Sequence, residues 1–515
     1  MRLYLIAPAA RSADDDTLEN TLAGTKTRYA LSAAAGIASV ASFFPDEVDL
    51  VLCDEVIDRV DFDDPADVIG LSVNVSQMAR GIEIAREFRK RGRRVIIGGA
   101  HVSLAPDLFE GEADCLVIGE FEPIAAQVVG DLLSGTLKPV YRGGQADMAK
   151  LPMPRWDLYP NHKTLAGVVQ TSRGCPFDCN FCDVIQYVGR KQRHKPPKAV
   201  IAEAEQLYDL GYRHIMLSDD NFTVYRRRSL ELLEALAAWN AGRDRGSVVF
   251  STQLSIDLAR SPDLLAACNR AGLRYVFIGL ETDDEAALEA SRKRQNMRID
   301  PREECRRIVA AGLSIRAGLI VGFDSDDLSC FERQFRFAQS LPIVGFNVSA
   351  LTAPIATPLY DEMKKAGRIV EGAGQGLGAG MASLTNFLPA QMTREQLAEG
   401  RRWLKHSLLE ADNTIARFEH LAAILGPPDP ALRSVQRGGL AGNPLLELMQ
   451  ALRGNKEARR VIDAVFDLIA TRPEIQDDLS SQLMLHLNEL RKHADRAAAP
   501  KDRPNRSEAY DQLAV

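Results

Sequence analysis

Short apolar runs alternate with helical patterns twice along this chain, and no other feature restricts its fold as much. In residues 1–145, runs suited to buried strands fall at Leu3–Ala7, Val48–Cys53, Val68–Val73, Arg94–Ile97 and Cys115–Ile118, with a helical pattern over Gln77–Arg91. A second series begins at Val168–Thr171 and continues at His214–Leu217, Val248–Gln253, Tyr275–Leu280, Ser314–Val321 and Gly345–Ala350. Helical patterns such as Lys198–Leu210 and Arg228–Ala241 lie between its members. Alternation of this kind predicts parallel sheets whose ligands gather at the carboxyl ends of the strands. A chain of 515 residues exceeds one ordinary core. We therefore divide it into an α/β domain at 1–145, a linker at 146–166, a second α/β unit at 167–380, a helical domain at 381–493 and a polar tail at 494–515.

Polar residues and glycines follow the strands where ligands are expected. Ser72-Val73-Asn74-Val75-Ser76 comes after the third strand, Gly98-Gly99-Ala100-His101 after the fourth and Gly119-Glu120 after the fifth. Glycine there lets a bulky ligand approach the backbone, although a glycine pair serves a tight turn equally well. The dinucleotide pattern G-x-G-x-x-G is absent. In the linker, Pro152, Pro154 and the lone Trp156 read as a strap between domains.

Three of the eight cysteines lie within Cys175-Pro176-Phe177-Asp178-Cys179-Asn180-Phe181-Cys182, spaced C-x3-C-x2-C. Three thiolates on one loop suit three irons of a [4Fe-4S] cluster and leave the fourth iron open. A structural zinc site would need a fourth protein ligand, and the nearest candidate, His194, lies in the basic loop Gly189–Lys195. Without a secretory context the thiols are expected to be reduced.

This spacing, preceded by an apolar strand and with an aromatic, Phe181, before the last cysteine, resembles the radical S-adenosylmethionine (radical SAM) superfamily. The resemblance implies a partial (β/α)6 barrel whose open iron is chelated by SAM, with one electron cleaving SAM to a 5′-deoxyadenosyl radical. It places SAM contacts at Phe181, at Asp219, Asp220 and Asn221 after the second barrel strand, and at Gln253, Glu281 and Arg316. For any one of the 219–221 trio, a helix-capping role is the competing reading. The competing reading for Arg316 is a salt bridge within the barrel.

Ahead of such a core, the Gly-Gly-x-His turn and the Ile118-Gly119-Glu120 ending resemble the cobalamin-binding domain of cobalamin-dependent radical SAM enzymes. That makes the first domain Rossmann-like, with cobalamin contacts at Ser72, Asn74, Gly98, Gly99, His101, Gly119 and Glu120. His101 lacks the Asp-x-His-x-x-Gly context of cobalt-ligating histidines, so the resemblance implies cobalamin with its base displaced and no histidine on cobalt. Gly322–Asp327, Ala353–Tyr360 and Thr385–Pro389 resemble the branch that includes hopanoid-lipid biosynthesis enzymes and methylases. The basic loop Gly189–Lys195 also recurs in this family, and we read it as part of the core.

A formal net charge of −7 argues against general nucleic-acid binding. No apolar run reaches membrane-spanning length, and Ala30–Phe44 reads as a packed helix. The N-terminal run is too short for a signal peptide, so a cytoplasmic location is expected. From Thr393 onward, apolar stripes at helical spacing predict helices, read as a cap over the barrel mouth. Cys268, Cys305 and Cys330 read as buried packing residues.

These features favour methylation of an unactivated carbon of a small-molecule or lipid-like substrate, through a 5′-deoxyadenosyl radical and methylcobalamin. The enzyme would draw electrons from an external donor such as flavodoxin or ferredoxin. The alternatives are a radical rearrangement, cyclisation or oxidation without methyl transfer, and a non-catalytic cobalamin or redox sensor. A methylthiotransferase is disfavoured because the first domain offers only Cys53 and Cys115 for a second cluster.

Overall fold

A computed structural model describes residues 1–10, 20–22, 28–370, 384–432 and 444–498, with backbone alone from 493. Its strands are β1 (Arg2–Ala7), β2 (Ala30–Ser32), β3 (Asp49–Asp54), β4 (Val68–Ser72), β5 (Arg94–Gly98), β6 (Cys115–Ile118), β7 (Val140–Arg142) and β8 (Thr164–Val169). They continue with β9 (Ser172–Arg173), β10 (Arg193–His194), β11 (His214–Leu217), β12 (Val249–Leu254), β13 (Leu273–Glu281), β14 (Ser314–Val321) and β15 (Gly345–Ala350). Strands β9 and β10 form a two-stranded antiparallel ribbon.

The first sheet is parallel, in the order β3-β1-β4-β5-β6-β7. Alternate side chains of β1 enter different layers, as the period of a strand requires. Tyr4 and Ile6 pack with Ile84, Ala85 and Phe88 of the helix Met78–Lys90. Leu3 and Leu5 face the other way, with Ile37, Ala38 and Ala41 of the helix Ala35–Ala41. Burial on both faces explains why β1 reads as an unbroken apolar run. The short strand β7 lies in a stretch the sequence left irregular.

Gly119 ends β6 with φ +85°, and a Cβ there would lie 2.2 Å from the Gly143 carbonyl oxygen. Gly119→Ala therefore combines left-handed strain with backbone overlap, and is expected to cost about 2–5 kcal/mol in urea unfolding.

The second sheet is parallel, in the order β15-β14-β13-β12-β11-β8-β2. Its edge strand β2 corrects the reading of Ala30–Phe44 as one helix. Ala30 and Ser32 pair with Thr164 and Ala166, and only Ala35–Ala41 is helical. The barrel sheet thus recruits residues from before the 167 boundary. Trp156 of the strap is fully buried, and Tyr159 donates a 2.6 Å hydrogen bond to Asp54, so both α/β units share one apolar core.

The last helix does not cap the mouth. The helix Gln476–Ala498 meets the amino ends of the barrel strands, where Gln482 bonds Ser314, Tyr275 bonds the Asp477 carbonyl and Asp478 pairs with Arg274. Farther along, Asn488 donates to the Thr21 carbonyl beside β2, so this helix reaches from β13 and β14 towards the other edge. The tail expected from 494 continues this helix to Ala498, and its remainder lies outside the described residues. Cys268, Cys305 and Cys330 are buried, as expected. Among the described residues no helix is long and apolar enough to cross a membrane.

Candidate active site

The cysteine loop leaves β9 at the carboxyl end of the barrel and is held from several sides by backbone contacts. Gly174, at φ +103°, donates its N–H to Asp220 at 2.7 Å, and a Cβ there would sit 2.7 Å from the Lys191 carbonyl. The Asn180 N–H bonds the Ser291 carbonyl at 3.1 Å, and the Asn180 carbonyl accepts from Leu359 at 2.9 Å. Arg190 donates to the Pro176 carbonyl at 2.6 Å, while Gln192 reaches Ser172 and the Asn221 carbonyl. The basic loop, read from the sequence as part of the core, lies behind the cysteines. His194 is engaged edge-on with Tyr225.

All three thiols are free, and burial pushes the Cys182 thiol up to about 12, so it holds its proton until a metal displaces it. Among the described residues no three His, Cys, Asp or Glu side chains converge on a single metal ion. A cluster asks for something else, because each thiolate takes a different iron. The donor set therefore fits an iron-sulfur cluster better than zinc.

Beside the thiols lies a cation that the sequence did not single out. Lys293 donates to Glu281 at 2.7 Å and stands 5.9 Å from the Phe181 ring centroid. Burial works against its charge, but Glu281 and the neighbouring Cys179 and Cys182 outweigh that, and its pKa is raised. Gln295 donates towards the Cys179 sulfur at 3.6 Å. The only signal for Lys293 is its place in Ser291-Arg292-Lys293-Arg294, which reads as a solvated charge run. Glu281 itself has φ +65°, a left-handed conformation that costs a non-glycine residue about 1–2 kcal/mol.

The other expected SAM contacts divide. Gln253 is exposed at the end of β12. Phe181 packs beside Phe323, Leu351 and Phe387. Asn221 is buried, donating to Ser255 while its Oδ1 has no partner. Asp220 supports Gly174. None of the 219–221 trio caps the following helix, whose N-cap is Tyr225. Arg316 is a correction: it sits beside Phe277, one lumen-facing position below Gly279, and bonds Asn347 at 2.8 Å with Glu489 4.0 Å away. The structure does not bring it to the mouth.

Asp219 is turned inward, accepting from the Thr171 N–H at 2.9 Å, the Ser172 N–H at 2.6 Å and the Thr171 hydroxyl at 2.5 Å. Burial raises its pKa from 3.8 to about 6 despite these donors. Folding therefore takes up a proton here, and stability from this group falls as pH rises from 3.8 through about 6. Asp219→Asn is expected to fold and to flatten the pH dependence of the urea midpoint across that window. Asp219→Ala strands three donors and should cost about 2–4 kcal/mol.

At the carboxyl edge of the first sheet the glycines serve the backbone. A Cβ on Gly99 would lie 2.5 Å from the Val73 carbonyl oxygen, one on Gly98 3.3 Å from Val117, and the Gly119 N–H bonds Ser103. Ser72 is half-buried with its hydroxyl near Gly36. Asn74 is exposed and forms a capping box with Gln77. His101 is buried edge-on to Phe109, its Nε2 has no partner, and burial lowers its pKa to about 4. The Glu120 carboxylate is occupied within the protein, its oxygens accepting from Arg173, Arg193 and the Ala146 N–H.

A family model for the radical SAM superfamily matches residues 169–338. The uncharacterized methyltransferase sll1242 of Synechocystis sp. is 32% identical over 369 residues, covering 71% of this chain and 68% of that protein. Hopanoid C-2 methylase of Rhodopseudomonas palustris is 30% identical over 343 residues, 65% of either chain. This chain thus spans about two thirds of the length of both. The radical SAM methyltransferase TsrM from Kitasatospora setae, solved with cobalamin and a [4Fe-4S] cluster, superposes with a TM-score of 0.57 over 97% of this chain and 99% of its own. At 15% identity that likeness is one of fold. Cysteine loop, barrel and relatives agree: this chain belongs to the radical SAM superfamily.

Proposed function

We propose that this protein is a cobalamin-dependent radical SAM methyltransferase acting on an unactivated carbon of a small-molecule or lipid-like substrate. The observation that carries this reading is the junction of the two sheets. Glu120, just past β6, bonds Arg173, two residues before Cys175, so a ligand on the carboxyl edge of the first sheet would face the cluster loop. The relatives named methylases and the shared fold with cobalamin-bound TsrM support the same reading.

Cys175, Cys179 and Cys182 would hold the cluster, which supplies the electron that cleaves SAM to a 5′-deoxyadenosyl radical. Glu281 would accept from the amine or ribose of SAM, and the Lys293 cation would offset the thiolates. Phe181, packed with Phe323 and Phe387, keeps water from one side of the loop. The fit for cobalamin rests on the buried, unpartnered Nε2 of His101 and the exposed turn at Asn74. Ser72, Asn74, Gly98, Gly99 and His101 would line its site, where cobalamin supplies the methyl group. The protein's share of the work is to hold the reacting carbons close together and dry. The electron would come from an external donor of the flavodoxin or ferredoxin class.

Gly279 sharpens the assignment, because a Cβ there would lie 2.2 Å from Glu281 Oε1 and 2.9 Å from Lys293 Nζ. Gly279→Ala is expected to retain iron while SAM cleavage falls about a hundredfold, the scale of a small misplacement at a reacting centre.

The deciding experiment is anaerobic reconstitution with iron, sulfide and hydroxocobalamin, followed by metal counts and an absorbance spectrum. About four irons and about one cobalt per chain are expected, for one cluster and one cobalamin. Iron without cobalt would overturn the methyltransferase reading in favour of radical chemistry without cobalamin.

A further inference from the structure

We infer that Glu120 is a positioning residue that fixes the cluster loop against the carboxyl edge of the first sheet. The loop grows out of the β9–β10 ribbon, whose register sets Arg173 directly opposite Arg193. Like charges opposed across an antiparallel pair repel. Neither arginine is relieved by a carboxylate of the ribbon itself. Glu120, its side chain 2% exposed, enters from the other sheet and takes both. Its Oε1 accepts from Arg193 at 2.5 Å, while Oε2 accepts from Arg193 at 2.9 Å and from Arg173 at 2.8 Å.

The surroundings lock this arrangement. Arg173 also donates to Glu122 at 2.6 Å, and Arg193 to the carbonyls of Ala146 and Val188. Two arginines thus meet two glutamates, with Asp220 also near both, and no positive charge of the pair is left over for an anionic ligand. The Glu120 backbone is seated as closely, since a Cβ on Gly143 would lie 1.9 Å from its carbonyl oxygen. Buried ion pairs contribute little net stability against apolar replacements, and register is their best-attested use. Here the register set is that of the ribbon, and with it the placement of Cys175.

The clamp stands on these contacts alone, whereas its meaning for a cobalamin at the sheet edge rests on the function proposed above. The test compares Glu120→Gln, Glu120→Asp and the double variant Glu120→Gln/Arg173→Met with wild type. Hydrogen exchange is read on the protein as purified, without added cobalamin. Glu120→Gln is expected to speed exchange of amides 172–174 and 189–194 about tenfold or more, leaving β1 and β4 unchanged. The aspartate variant should fall between, and the double variant should recover protection because the opposed charges are gone.

After reconstitution with iron and sulfide, Glu120→Gln should keep its iron yet broaden the electron paramagnetic resonance signal that SAM induces in the reduced cluster. Unchanged exchange at 189–194, or a uniform rise across the first sheet, would overturn the inference. If Glu120→Gln does not fold, a double variant that folds with wild-type protection supports the clamp, and one that also fails overturns it. Wild type that takes up no hydroxocobalamin removes the proposed function while leaving the exchange result to decide the clamp.

Discussion

Alanine at any one of Cys175, Cys179 or Cys182 is expected to abolish both the iron absorbance and the cleavage of SAM. Two thiolates cannot hold the three irons that leave a single open corner, and no other cysteine lies in the loop to replace the third. Among the described residues the remaining cysteines are buried in packing positions elsewhere. The fold should survive, because the loop is anchored through Gly174, Asn180 and Leu359, and the contact of Gln295 with the Cys179 sulfur is long. Each substitution should therefore cost only about 1 kcal/mol in urea unfolding, the usual scale for one side chain. Iron counts, ultraviolet-visible spectra and 5′-deoxyadenosine release separate the two effects. A variant that kept four irons and cleaved SAM would refute the assignment of the loop as the cluster site.

Asp478→Ala is expected to destabilise the protein by about 3–5 kcal/mol, because it leaves Arg274 charged, buried and without its carboxylate. The pair joins β13 to the last helix, with Asp478 Oδ2 2.6 Å from Arg274 and the Arg274 side chain 4% exposed. Burial raises the pKa of Asp478 even though Arg274 opposes the shift, so the carboxylate is costly to charge there. Removing both groups at once, in Arg274→Leu/Asp478→Leu, should recover most of the loss. The midpoint of urea unfolding measures each variant, and an Asp478→Ala protein as stable as wild type would show the helix adds nothing to the barrel.

What the sequence disclosed followed the range of the interactions. Strands such as β1 and β14 were legible because burial imprints a local period, and the cysteine trio because its ligands are adjacent in the chain. Strand β2 was hidden in an Ala- and Ser-rich run that favours helix, and pairing with β8 on one side and with Asn20 and Thr21 on the other makes Ala30–Ser32 extended. For Arg316 the alternation gave the face of the strand but not its height above the barrel floor, where Glu489 comes from another part of the chain. Glu120 sits where ligand-binding residues sit in such sheets, and its two arginine partners lie in a ribbon with no periodic signal. The C-terminal stripes told that one face is buried and not what buries it, which is why the last helix, which lies at the floor, was read as part of a cap.

The meeting of Asn488 with the Thr21 carbonyl bears on how the molecule is made. A chain emerging from the ribosome presents β2 and β15 long before the helix Gln476–Ala498 exists. During synthesis the barrel must wait with its floor missing, a condition that leaves apolar surface open to association between nascent chains. Slow long-range closure is therefore expected to limit the yield, and expression at low temperature with chaperones should raise it before any cofactor is supplied.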